Sequence, residues 1–278
     1  MTADNIADDA ATAAPAGRLK RRREIPAWVG SLLLLIIFLG GWEFYVRTFG
    51  VSKLILPPPS LVMEAWWESL TRSSTWYHTG ITAWETVLGF FFGAVAGVGL
   101  GALLGKMPRL EKMLNPFIIA TQVVPKVALV PLFVVWFGFG MTSKVVIASV
   151  LAFFPILLNT VLGVKSVDRG HIEVLASLNA SRWQTVTQLE FPSALPYILT
   201  GMEVGIVLSI IGTVVGEYLG GSEGLGNLAV KEMNSYNTTA LFAVIIHLSV
   251  MGFIFYAFVV AMRRFFIPWH ESARTLRE

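Results

Sequence analysis

The sequence predicts an all-α, polytopic membrane protein of about six transmembrane helices, and three observations carry that reading. Hydrophobic residues fill 55 % of its 278 positions, charged residues only 14 %, and the mean hydropathy is +0.66. A soluble domain carries about 25 % charged residues, so nearly half the usual charge is missing. The apolar residues also gather into runs of about 20, the length a helix needs to cross hydrocarbon. Finally, Lys and Arg concentrate in alternate connections between those runs, as they do in chains threaded back and forth across a bilayer.

The elements follow in chain order. Residues 1–24 are rich in Ala and Asp, lack an apolar period, and read as a disordered cytoplasmic tail ending in a basic cluster, Arg18, Lys20, Arg21, Arg22 and Arg23. The run from Trp28 to about Val46 is longer than a signal-peptide core and has no small-residue cleavage site, so it reads as an uncleaved first span. Pro57-Pro58-Pro59-Ser60 ends that segment. Leu61–Leu70, with Ala65, Trp66 and Trp67, has the spacing of a short helix lying on the outer surface. Further spans are expected near 80–105, 113–138, 143–164, 194–219 and 238–263, which gives a membrane domain over 25–265 and a cytoplasmic tail over 266–278.

With the N-terminus inside, the cytoplasmic segments hold 15 Lys and Arg residues, the outer segments 5 (Arg47, Lys53, Arg72, Lys144, Lys231), and Lys126 falls within a span, which accounts for all 21. That bias predicts both termini in the cytoplasm. Trp76, Tyr77, Trp136 and Tyr218 then fall near the outer interface, and Trp28 and Trp269 near the inner one.

Several chemistries are excluded. The chain has no cysteine, which removes disulfides, iron–sulfur clusters and thiolate zinc sites, and its four histidines form no metal motif. A net charge of +3 argues against nucleic acid. Gly105-Lys106 fails as a phosphate loop, because Met107 stands where a Mg²⁺-binding hydroxyl is needed. The spans use up the chain, so an ATP-driven process would need ATP and Mg²⁺ on a partner polypeptide. No cofactor is expected here, and no catalytic residue.

Four features bear on mechanism. Gly89, Gly93, Gly97, Gly101 and Gly105 recur every fourth residue in the second span, a smooth stripe for close helix packing inside a bundle. The stretch 165–195 is the longest cytoplasmic connection and reads as a helix–Asn–helix knob. Asp168 caps its first helix, which runs to Leu178. Asn179 tolerates the left-handed backbone that ends many helices. Ser181 and Gln184 form a capping box for the second helix, which Pro192 and Pro196 are expected to terminate. Spacing alone leaves open whether this is a docking surface or an ordinary loop. Glu85, Lys126, Asn159, Glu203 and His247 lie within spans, with Glu43 and Glu217 near outer ends. Intramembrane polar groups are costly and default to function, although a structural pairing of Lys126 with Glu85 or Glu203 is the alternative. Pro116, Pro125, Pro131 and Pro155 interrupt spans three and four.

The knob resembles the cytoplasmic loop of binding-protein-dependent ABC importer permeases, E-A-A-x-x-x-G-x(9)-I-x-L-P. Glu173 stands at the Glu, Asn179 at the Gly, Leu189 at the Ile, Phe191 at the Leu and Pro192 at the Pro, with spacing kept; Val174 and Leu175 replace the alanines. Val124-Pro125-Lys126-Val127-Ala128-Leu129, Pro131-Leu132 and Trp136-Phe137-Gly138-Phe139-Gly140 are similar to the third span of nitrate, sulfonate and taurine permeases. Phe153-Phe154-Pro155, Asn159-Thr160 and Gly163 fit the fourth, and the likeness covers about 55–265. Glu85 before Gly89-Phe90, and Gly216-Glu217 followed by Gly224-Leu225-Gly226, are more similar to the branch associated with pyrimidine or riboflavin uptake.

The resemblance implies a type I ABC importer permease (MetI-like) fold in a bacterial inner membrane. Two permease chains, expected as a homodimer, would work with two cytoplasmic ABC ATPases and an extracytoplasmic solute-binding protein. It also implies that Glu173, Leu175, Asn179, Ser181, Leu189, Phe191 and Pro192 form the ATPase-coupling surface. A proton- or ion-coupled secondary transporter using Glu85, Glu203 and His247 is the competing expectation, weakened because residues 25–140 and 141–265 show no repeat. A membrane scaffold would not need polar residues in its spans, and no nucleophile–base pair points to an enzyme.

Overall fold

The structure is a computed structural model that describes residues 27–267. The expected tails, with the basic cluster and Trp269, lie outside the described residues. Those residues form helices and turns, with no strand among them.

The first span is α1 (Ala27–Thr48), exposed on nearly every face. The surface helix is α2 (Pro59–Leu70), which starts on a proline whose missing N–H is no loss in a first turn. It turns Val62 inward and packs mainly on the last helix. The second span, α3 (Ser73–Lys106), is the longest unbroken α-helix.

The third span departs from expectation. Instead of one helix over 113–138 there are α4 (Pro108–Val123), a 3-10 turn (Lys126–Leu129) and α5 (Val130–Phe137), with the two arms bent by 83°. Pro125 is the cause: its ring disfavours the helical region for the residue before it, and Val124 is extended at φ −67°, ψ 124°. Counting the bent pair as one span gives six candidate spans, and five otherwise.

The fourth span is α6 (Met141–Lys165) and the last is α11 (Thr238–Phe266). Between them come α7 (Arg169–Ser177), α8 (Arg182–Thr185), a π-turn (Val186–Glu190), α9 (Phe191–Gly220) and α10 (Leu225–Asn234). Pro192 and Pro196 do not end the knob's second helix, as the sequence predicted. The helix runs from Arg182 to Gly220 without a break. The wide π-turn sits directly before Phe191-Pro192, and membrane helices tolerate proline where such local adjustments absorb the freed carbonyls.

The core is a sandwich of α3, α6 and α9, with α6 in the middle. A Cβ built on Gly93 would meet the Ser149 carbonyl oxygen at 2.7 Å, and one on Gly101 the Thr160 Cβ at 2.6 Å. Gly89 opposes Ala148, Gly97 opposes Ile156 and Gly105 opposes Val164. The offset between partners stays constant, so α3 and α6 run parallel and in register. On its other side α6 meets glycines of α9. Gly201 faces Asn159 and the Ile156 backbone, Gly205 the Ile156 side chain, and Gly212 the Ala148 backbone, in descending order, so α9 is antiparallel. Lipid offers no hydrophobic drive between helices, and this close backbone approach supplies the packing in its place.

Candidate functional site

Two ends of the bundle carry the polar chemistry. At one end sits the knob. Asp168 accepts from Gly170 N at 2.7 Å and starts α7, while Asn179 adopts φ 55° and closes it. Asn tolerates that region better than other non-glycine residues. Ser181 and Gln184 form a reciprocal capping box at the start of α8. With backbone needs met locally, the apolar side chains point outward: Val174, Leu178 and Trp183 are 56 %, 71 % and 74 % exposed. Glu173, Asn179, Ser181 and Phe191 are exposed, and Leu175, Leu189 and Pro192 half-buried. Two ion pairs tie this end to the bundle: Lys106 of α3 to Glu190 of the π-turn at 2.5 Å, and Lys165 of α6 to Glu111 of α4 at 2.6 Å. Sequence reading had no pairing for these four residues.

At the opposite end a buried polar cluster joins α3, α6, α9 and the turn before α10. Lys144 Nζ donates to Glu85 Oε1 at 2.7 Å, with both residues under 5 % exposed. Glu217 is fully buried. Its Oε1 accepts from the Thr82 hydroxyl and its Oε2 from Gly226 N, both at 2.7 Å. Leu225 N donates to Thr82 Oγ1 and Gly224 N to His78 Nδ1. Gly224, at φ 100°, lies against the Glu217 carboxylate, so a side chain there would be both strained and obstructed. Charges removed from water are tolerable only when paired and hydrogen-bonded, and here Lys144 pairs Glu85 through Oε1, while Glu85 Oε2 is buried with no hydrogen-bond partner among the described residues.

The cluster corrects two expectations. Lys144 is not an outer-loop residue; it lies in the first turn of α6, 4 % exposed. Lys126 pairs with neither Glu85 nor Glu203. Its ammonium lies over the Phe154 ring, 4.7 Å from the centroid, while Glu203 is held by Arg263 of α11 at 3.0 Å. Each carboxylate is paired with a cation on another helix, Glu85 with Lys144 of α6 and Glu203 with Arg263 of α11.

The five intramembrane candidates do not converge. Asn159 lies between α6 and α9 and returns a hydrogen bond to the Pro155 carbonyl. His247 of α11 contacts Thr79 of α3, Nε2 to Oγ1, at 2.9 Å. The Thr79 hydroxyl also lies 2.7 Å from the Thr75 carbonyl oxygen. His247 lines a cavity of about 370 Å³ shared with α2 and α10, whereas Glu85 and Lys144 line a separate one of about 210 Å³.

Comparison with known proteins matches this architecture. The family model described as binding-protein-dependent transport system inner membrane component matches residues 89–267. The riboflavin transport system permease protein RibX of Chloroflexus aurantiacus is 34 % identical over 93 % of this chain and 96 % of its own. The formylaminopyrimidine transport permease protein ThiX of Halalkalibacterium halodurans is also 34 % identical, over 87 % and 94 %. The taurine transport system permease protein TauC of Escherichia coli is 30 % identical over 92 % and 96 %. Among solved structures, an inward-facing MetNI methionine ABC transporter chain shares the fold with a TM-score of 0.59 at 18 % identity, covering 76 % of this chain and 98 % of that one. Such permeases work with an ATPase and a binding protein and are not themselves enzymes. The chain therefore belongs to the binding-protein-dependent transport system inner membrane components, and it is the permease subunit of an ABC importer.

Proposed function

We propose that two copies of this chain form the translocation path for a small organic solute, each docking a cytoplasmic ATPase through residues 165–195. The observation that carries the reading is the knob. Its backbone is satisfied by its own caps and the positive φ of Asn179, so Val174, Leu178 and Trp183 are free to project as an apolar, rigid protrusion. An apolar protrusion at the charged end of a membrane bundle suits a cleft in a soluble partner better than lipid. Glu173 stands on the same short helix. In this reading ATP and Mg²⁺ belong to that partner. The knob end faces the cytoplasm, and the α2 and α10 end faces the binding protein. This orientation gains support from the Lys and Arg distribution, 15 in the cytoplasmic segments against 5 in the outer ones.

The carboxylates at the solute-facing end outnumber the cations, which favours a neutral or cationic solute over a free anion. Glu173→Arg tests the docking. The residue is exposed, so the variant should insert and fold normally. ATPase co-purification and ATP-dependent uptake should each fall at least tenfold; wild-type uptake in the variant would contradict the assignment.

A further inference from the structure

At the bend of the third span the chain leaves helical geometry within the membrane. Pro125 has no N–H to give the Thr121 carbonyl, and the Val124 carbonyl accepts no hydrogen bond among the described residues. Lys126 follows at once, with its ammonium over the Phe154 ring, and Phe154 stands about midway along α6 (Met141–Lys165). At a rise of about 1.5 Å per residue, either end of α6 is roughly 15 Å or more away. That is beyond the reach of a four-carbon stem. Lys144 is held by Glu85 and Arg263 by Glu203, but no carboxylate pairs with Lys126 among the described residues.

An unpaired ammonium at such depth is costly. Backbone outside a helix is tolerated there only where protein buries it or where it lines a water-filled cavity. Within this chain the bend is open: Val123 and Val127 are 79 % and 45 % exposed, Gln122 and Val124 are exposed, and α4 buries none of its side chains. The first span is equally open, but its exposed run Leu32–Leu39 is wholly apolar and suits lipid. The bend instead carries an ammonium, a side-chain amide and an unbonded carbonyl.

We propose that the bend at Val124-Pro125-Lys126 lines the translocation path near mid-membrane, and that Lys126 presents its ammonium there to an acceptor oxygen of the passing solute. The proposal rests on the importer reading above and assigns one contact residue of its path. An ammonium offers three donors and no acceptor. The face of Phe154 attracts the cation and positions it, without a carboxylate to neutralise it. The carboxylates of the outer end act at the entrance, whereas this ammonium acts at mid-path, on the solute that has passed them.

The chain has no cysteine, so Val127→Cys sets a single thiol in this chain beside Lys126. The complex of permease, ATPase and binding protein, held in lipid nanodiscs, is treated with two membrane-impermeant methanethiosulfonates. One carries a sulfonate and the other a trimethylammonium, so they serve as small solutes of opposite charge. Modification of the permease is read by intact mass, and each rate is divided by that of the same reagent with a free thiol. The anionic reagent should then react about fivefold faster than the cationic one, the preference that a nearby unit charge gives in a wet space. Lys126→Arg should keep the preference and Lys126→Met should abolish it. Both variants keep a long stem against Phe154, and loss of a charge from mid-membrane does not endanger the fold.

If the anionic reagent does not modify position 127, the bend faces lipid or packed protein and the assignment is overturned. Corrected rates that are equal with Lys126 present would mean that a carboxylate of the second copy neutralises it, which overturns the solute contact. A preference that survives in Lys126→Met overturns it too. The importer reading is decided separately, by whether the ATPase co-purifies with the chain.

Discussion

A methyl group added at Gly93 would press on the Ser149 carbonyl oxygen, whereas at Gly99, on another face of the same helix, nothing lies within 4 Å. The two positions have the same helix propensity, so they separate packing from backbone effects. Gly93→Val should lower stability in detergent by about 1–3 kcal/mol through overpacking, measured as a drop in Tm, and Gly99→Val should leave Tm nearly unchanged. Equal shifts would mean the stripe is not a packing surface. The same ladder accounts for the buried ion pair. Glu85 lies four residues before Gly89, and Lys144 four before Ala148, so the pair is the next rung of the α3–α6 register, with a separation of 59 residues. The signal was present in the sequence, since Glu85 continues the four-residue period of the stripe. Its partner could not be read until the facing helix and its register were known.

The element that links the knob to the core is the π-turn Val186–Glu190. π-turns inside helices are rare and concentrate at functional sites. Here the turn carries Glu190, which holds Lys106 at the end of α3, so a push on α8 meets α9 directly and α3 through the ion pair. The side chains are 45 % and 23 % exposed, and such pairs contribute at most about 1 kcal/mol to stability. Lys106→Glu should therefore fold normally, retain ATP hydrolysis by the complex and lose most solute uptake. The double reversal Lys106→Glu with Glu190→Lys should recover it. Recovery absent in the double variant, or uptake intact in the single one, would show that the pair does not transmit motion. At this scale the sequence was legible wherever one residue decides the backbone: the Asp168 and Ser181 caps, the turn at Asn179, the glycine period. It misled where proline was read as a full stop. Pro192 and Pro196 lie within a continuous helix, because a bundle interior can absorb the carbonyls they free, and among the described residues the one sharp bend in a span falls at Pro125.

Across the whole molecule, polar groups separate to two ends of a glycine-packed core of α3, α6 and α9. One end presents a self-capped knob, the other a buried charge cluster beneath α10. Span number and the knob were legible from hydropathy and capping chemistry, which depend on local sequence. The pairings Lys144–Glu85, Glu203–Arg263 and Lys106–Glu190 were not, because each joins helices whose relative register only tertiary packing sets. The chain contains no cysteine, so single cysteines can report which end meets the ATPase without background. With the complex assembled in membranes, a thiol-reactive cross-linker should join Ser177→Cys on the knob to the ATPase, and should not join Ser235→Cys, beyond α10, to it. Cross-linking from position 235, or none from 177 in a complex that still holds its ATPase, would contradict the account.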